Sequence, residues 1–176
     1  MFKDFDISSF KKMKPPSDNS FDTDQEIKSL KKIPLRKEFV KKYDNIEAAF
    51  KKTADEQGIK DYDKKIAAKL IKESAPVILE LKKHHDRTRP YELDKSLSDV
   101  KMKSMNTPSY PSGHSTQGIL IANVLADKYP SAANEFKKAG KNISDSRNIA
   151  KAHYISDSKM GIKLGNEMYN HIKNKI

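Results

Sequence analysis

Apolar residues recur along this chain at intervals of three and four, the spacing that lines one face of an α-helix. Leu35, Phe39, Tyr43, Ile46 and Phe50 form one such stripe, and Gly58 follows its end. Tyr62, Ile66, Leu70, Val77, Ile78 and Leu81 form a second, with Pro76 inside it, where a kink or a split is expected. Residues 86–112 lose the pattern and carry Pro90, Pro108 and Pro111 among several Ser and Asn. A connection of that length is usually functional. A third helix opens at Ser112-Gly113 and runs to about Lys128, before Tyr129-Pro130. A fourth is expected over about 131–150, with Phe136, Ile143 and Ala150 inward. A fifth is expected over about 154–174, burying Ile162, Gly165, Met168, Tyr169 and Ile172. No alternating strand pattern appears, so the predicted class is all-α, a compact helical bundle. Residues 1–34 read as a loosely structured N-terminal arm, because "KPPSDNS" (14–20) is turn-rich and Pro34 closes the segment. Residues 35–176 read as the folded domain.

Composition narrows the field. The 176 residues suit one domain with one core. There is no cysteine, which removes disulfides, thiolate metal sites and cysteine nucleophiles together. The longest apolar block, "GILIANVLA" (118–126), is too short to span a bilayer and contains Asn123. The first twenty residues carry Asp4 and Asp6 and no apolar h-region, so no signal peptide is read and a cytoplasmic location is expected, with periplasmic or secreted locations left open. The net charge of +11 draws phosphate-bearing partners: nucleic acid, anionic lipid or small phosphorylated substrates. Only four residues are arginine, and three of them, Arg87, Arg89 and Arg147, fall in two short segments. The guanidinium fork grips phosphate oxygens in pairs, which lysine cannot do.

Three segments then stand out. "KKHHDRTRP" (82–90) places Lys82 seven residues before Arg89-Pro90. "YPSGH" (110–114) puts Ser112 and Gly113 at a helix start with His114 in its first turn. "SRNIAKAHYISD" (146–157) supplies Arg147, His153 and Asp157. Together they suit phosphoryl transfer, which needs cations around the equatorial oxygens, an in-line nucleophile and an acid for the leaving oxygen. Lys82, Arg89 and Arg147 are the expected cations. The Gly113 backbone N–H and the Ser112 hydroxyl are the expected neutral donors. Asp157, four residues after His153, shares its face if the segment is helical and can then fix its tautomer, leaving the other ring nitrogen to attack. His114 is then the general acid, and later the base for water. Taken singly, each piece has an ordinary structural reading: a satisfied His–Asp pair, a Ser-capped turn, a helix exit. His84, His85 and His171 are read as solvated and silent.

In order, the three segments resemble the signature of the type 2 phosphatidic acid phosphatase superfamily: Lys-x6-Arg-Pro, Pro-Ser-Gly-His and Ser-Arg-x5-His-x3-Asp. Every fixed position is present: Lys82, Arg89, Pro90, Pro111 to His114, Ser146, Arg147, His153 and Asp157. The stretches "SYPSGHSTQGILIANVLADKYP", "NEFKKAGKNISDSR" and "HYISDSKMGIKLG" look closest to the bacterial class A non-specific acid phosphatases. The resemblance covers about residues 60–172. It implies an α-helical phosphatase with a phosphohistidine intermediate on His153, His114 as the acid, a small phosphorylated substrate, no metal and no cofactor, vanadate being able to occupy the phosphate site. Against that family's pattern, no signal peptide is read in the first residues and a shorter N-terminal side is expected.

The expected function is therefore a soluble, metal-independent phosphomonoesterase. Two alternatives are a vanadate-dependent haloperoxidase and a basic nucleic-acid-binding module. The second ranks last, because the chain has no interleaved aromatics for base stacking, and no specific nucleic acid is expected. A metal held by His114, His153 and Asp157 is a further, weaker reading. No membrane span is expected, and homo-oligomerisation is left open.

Overall fold

The computed structural model describes residues 1–97 and 103–175. Nine α-helices appear among them: α1 (Ser8–Lys12), α2 (Phe21–Lys32), α3 (Lys37–Asp44), α4 (Ile46–Glu56), α5 (Lys65–His85), α6 (Pro90–Leu93), α7 (Gly113–Lys128), α8 (Ala133–Ile149) and α9 (Ile155–Ile172). Short 3₁₀ turns lie at Lys103–Asn106 and Pro130–Ala132. No strand occurs among the described residues, and the fold is all-α. The predicted 86–112 connection contains α6 and the first of these turns; its residues 98–102 lie outside the described residues.

α7 is the axis. It is apolar around most of its circumference, as a helix packed on several sides must be. Leu120, Ile121, Ala122, Val124 and Leu125 are all buried. α8 and α9 make its most extensive contacts, and α5 lies against it as well. Two glycines set how close the partners come. A Cβ built on Gly140 of α8 would stand 2.7 Å from both Gly118 O and Ala122 Cβ. A Cβ on Gly161 of α9 would stand 2.6 Å from Ser112 O. Neither position has room for a side chain, so the helices meet backbone to backbone.

Three helical expectations change in detail. The stripe from Leu35 to Phe50 is two helices, because Asn45 is extended (φ −92°, ψ 107°) and its side chain caps α4 through Ala48 N at 2.9 Å. Stripe phase continues across the break, with Tyr43, Ile46 and Phe50 buried and Leu35 exposed. α5 runs unbroken through Pro76. Ser74 Oγ and Gln117 Nε2 both donate to Ile71 O on the preceding turn. In α9, Leu164 joins Met168, Ile172 and Gly165 inside, while Ile162 and Tyr169 are half-buried.

The first 34 residues differ from the loose arm expected of them. They form α1 and α2, and bury Phe2, Phe10, Ile27 and Leu30. Ser20 caps α2 by accepting from Thr23 N at 3.2 Å. α2 then packs beside Tyr154, Leu97 and Tyr91. Its C-terminal carbonyls, Leu30 O and Ile33 O, accept from the buried Lys151 ammonium. Lys151 has a left-handed backbone (φ 58°), a conformation that costs an L-residue about 1–2 kcal/mol. That turn ends α8 and aims the next residues, Ala152 and His153, inward.

Candidate active site

The three predicted segments meet where the start of α7, the end of α5 and the α8–α9 turn come together. A backbone bond joins two of them: Ser112 N donates to Asp157 O at 3.1 Å.

Asp157, at the third position of α9, is fully buried and is the hub. Its Oδ2 accepts from His153 Nδ1 at 3.2 Å, from Tyr154 N at 3.0 Å and from Ser109 Oγ. Its Oδ1 accepts from Arg87 Nη1 at 2.7 Å. Burial alone would raise this carboxyl, but the His153, Arg87 and Ser109 interactions outweigh it and hold it below the ordinary carboxylate range. It is therefore the anion at the centre of a cationic site.

The His153 tautomer follows from its partners. Nδ1 faces a carboxylate and must carry the hydrogen. Nε2 lies 3.1 Å from Arg89 Nη1, which has only hydrogens to offer, so Nε2 presents its lone pair. Burial first, with help from Arg89 and Lys82, presses the ring down to about 3, so it is neutral across the physiological range.

Arg89 meets this lone pair, and Lys82 acts on the same ring. Arg89 is pinned by Thr107 O at 2.9 Å and Ala152 O at 3.0 Å. Lys82 is buried with a backbone carbonyl, Pro108 O, as its acceptor. Burial, then the charge of Arg89, lowers the Lys82 ammonium to about 7. Arg147 is fully buried and donates to Asp44 Oδ1 at 3.0 Å and to Ser146 Oγ at 3.0 Å. Lys82 and Arg147 both act electrostatically on His114, and Lys82 and Arg89 on His153.

His114 is half-buried in the first turn of α7, its Nε2–H donating to Asp44 O at 2.8 Å. Burial and Arg147 lower this ring to about 4. With Nε2–H committed to a carbonyl, Nδ1 is the atom that gains or loses a proton. Gly113 N and His114 N belong to the first turn of α7, where backbone N–H groups have no intrahelical acceptor. A Cβ on Gly113 would meet only ordinary contacts, Ile78 Cγ2 at 3.5 Å and Lys82 Cε at 3.9 Å, so Gly113 borders the Lys82 stem. Ser112 is also the α7 cap: its buried Oγ accepts from Ser115 N at 3.2 Å and Ser115 Oγ at 2.9 Å, which leaves its own hydrogen to donate.

Known proteins extend this picture. No family model matches the chain. It is 39% identical over 88 residues to a non-specific acid phosphatase of Salmonella typhimurium, covering 48% of this chain and 35% of that protein. A protein of the same description from Salmonella typhi is 38% identical over the same length and shares. The chain is similar to non-specific acid phosphatases. It spans about a third of the length of these curated relatives.

Sequence reasoning left several participants without a role. Arg87 stood out only as one of few arginines. Ser109, three residues before Ser112, carried no signal of its own. Glu26 and Asp44 are two of 24 acids, placed 130 and 103 residues from Ser156 and Arg147, which they bind. The histidines set aside as solvated are only partly so. His84 is exposed, but His85 is half-buried, with its Nε2 3.1 Å from Phe10 O and its ring edge-on to Tyr110. His171 packs against Phe5 and contacts Asp4 at 3.2 Å. α1 and the N-terminal residues cover both. Among the described residues no helix is long and apolar enough to cross a membrane.

Proposed function

We propose that this chain is a phosphomonoesterase that works through a phosphohistidine on His153, without a metal or cofactor. The observation that carries the reading is the tautomer of His153: Nδ1–H held by a buried carboxylate, Nε2 lone pair held at Arg89, with Lys82 acting on the same ring and Arg147 on His114. Three buried cations in a low-dielectric pocket favour a multiply charged anion. A phosphate monoester placed there sets its oxygens on Arg89, Arg147, Lys82 and the first-turn N–H groups of α7, and its phosphorus in front of Nε2.

Nε2 then attacks phosphorus and the P–O bond to the alcohol breaks. The leaving oxygen takes the proton from His114 Nδ1, and Asp157 stabilises the charge that develops on the His153 ring. In the second half, His114 accepts a proton from water, whose oxygen attacks the phosphorus. The P–N bond breaks, inorganic phosphate leaves and both rings return to their first state. The low pH at which bare His114 titrates fits this sequence, since a bound dianion favours the charged ring and raises it toward the working range.

The test is turnover of p-nitrophenyl phosphate in excess EDTA by the whole chain, beside His153→Ala. Turnover in EDTA, with phosphoryl label trapped by an alkaline quench on the wild type alone, is the expected result. Equal turnover by His153→Ala would remove the nucleophile and with it the reading.

A further inference from the structure

The bonds that hold Asp157 extend past the three signature segments to α2. Arg87 is buried, and its guanidinium lies on the Tyr154 ring, 3.8 Å from Cζ to the ring centre. Its Nη1 donates to Asp157 Oδ1 at 2.7 Å and to Ser156 Oγ at 2.7 Å. Its Nη2 donates to Glu26 Oε2 at 2.9 Å. Glu26 also accepts from Ser156 N at 2.7 Å and from Ser156 Oγ at 2.7 Å. Ser156 N is in the first turn of α9 and has no intrahelical acceptor, so a carboxylate from another helix completes the α9 N-terminus. Next to Arg87, Thr88 Oγ1 donates to Asp18 Oδ2 at 2.6 Å, a second tie to the N-terminal segment.

We propose that Glu26 and Arg87 are positioning residues that aim the Asp157–His153 pair, making α2 a working part of the reaction centre. Arg87 divides its charge between two carboxylates. With Glu26 neutral, the whole guanidinium charge falls on Asp157 and draws it away from His153 Nδ1–H. The outside acceptor at the start of α9 loses its charge in the same step. Neither change touches the Lys82, Arg89 or Arg147 contacts described above, so phosphoryl transfer weakens while anion binding holds. The kinetic part rests on the phosphomonoesterase reading; the orientation part does not.

The experiment uses the full chain as Glu26→Gln, Glu26→Asp and Arg87→Lys. The readouts are kcat, the inhibition constant of inorganic phosphate, and the imidazole ¹⁵N spectrum of His153, assigned by its loss in His153→Ala. Supporting bonds of this kind carry about 10–100-fold in activity. Glu26→Gln is expected to lose kcat by about that factor, to keep phosphate inhibition within about twofold, and to mix Nε2–H tautomer into a wild-type spectrum that is Nδ1–H. Glu26→Asp, which restores the charge, recovers part of both. If Glu26→Gln does not fold, Arg87→Lys carries the same test, since it keeps the charge and loses the fork. Wild-type kcat in Glu26→Gln, an unchanged His153 tautomer, or parallel loss of kcat and phosphate binding would each overturn the proposal. Absence of turnover in the wild type would sink the phosphomonoesterase reading alone, and the ¹⁵N spectra would still decide the positioning role.

Discussion

His153 hangs at the start of α9 inside a closed set of partners, whereas His114 stands in the first turn of α7 with one backbone carbonyl at its Nε2. Both rings are pushed well below their ordinary value, and in both burial is the largest cause. The difference lies in what opposes the push. His153 has a carboxylate in the first turn of the helix that follows it, itself anchored by Arg87, Ser109 and Tyr154 N. For His114 the opposing groups are the Asp44 carbonyl and carboxylate, on the corner between α3 and α4. The first ring is fixed in tautomer and direction before any ligand arrives. The second has a proton affinity that a bound anion can reset. A nucleophile needs the former property and a proton donor the latter.

The largest effect that can break this comparison is His153→Ala, expected to cut turnover by about 10⁴-fold or more and to abolish alkali-stable, acid-labile labelling of the protein. Labelling that survives would place the nucleophile elsewhere. His114→Ala is expected to cost about 10²–10⁴-fold on an alkyl phosphate, and much less on p-nitrophenyl phosphate, whose leaving group needs little protonation. Equal losses on both substrates would deny His114 the donor role and erase the contrast between the rings.

Lys82→Met separates function from stability. Phosphate inhibition is expected to weaken about 10–100-fold, the worth of a charge-assisted bond. Thermal stability is expected to rise, because the variant no longer buries an ammonium, by about 2–4 °C per kcal/mol for a chain of this size. The sign with pH is fixed. The folded group titrates at about 7 and the unfolded one at its ordinary 10.5, so the gain is absent above that value, grows as pH falls toward 7 and is constant below. A Tm gain that ignores pH would mean that packing, not charge, had changed.

The smallest effect concerns both rings together. Folded values of about 3 and about 4 lie below the ordinary 6.5, so the unfolded chain binds more protons between these limits. Stability is complete above 6.5 and is lost as pH falls through that window; Asp157 adds a loss of the same sign at lower pH. Melting curves from pH 7 to pH 4 should show the decline. Inorganic phosphate should flatten it by binding the folded state and raising His114.

The reach of the sequence follows the range of each interaction. α7 was legible to within a few residues because a long apolar run and Ser112 mark it locally, and α8 because Phe136 and Ile143 recur at helical spacing after Pro130. The three motif segments were legible because each spaces its residues within a turn or two of helix. The Asn45 break was not, since the apolar stripe keeps its phase across it and no proline or glycine marks it. α2 was obscured by its composition: Phe21, its largest apolar residue, is 74% exposed, and Ile27 and Leu30 alone carry its apolar burial. Glu26 and Asp44 act across more than 100 residues of chain, and a single acid among lysines gives no local pattern.

Gly161 gives the site its gauge. α9, which carries Asp157, and the start of α7 are joined by Ser112 N to Asp157 O, and one turn further on the absent side chain of Gly161 lets Ser112 O close in. The opening between His153 and the first turn of α7 is thus set by main chain meeting main chain, like the fixed jaws of a caliper. Side-chain replacements around the rim can alter what the caliper admits, but its setting belongs to a position where even one methyl group forces the jaws apart.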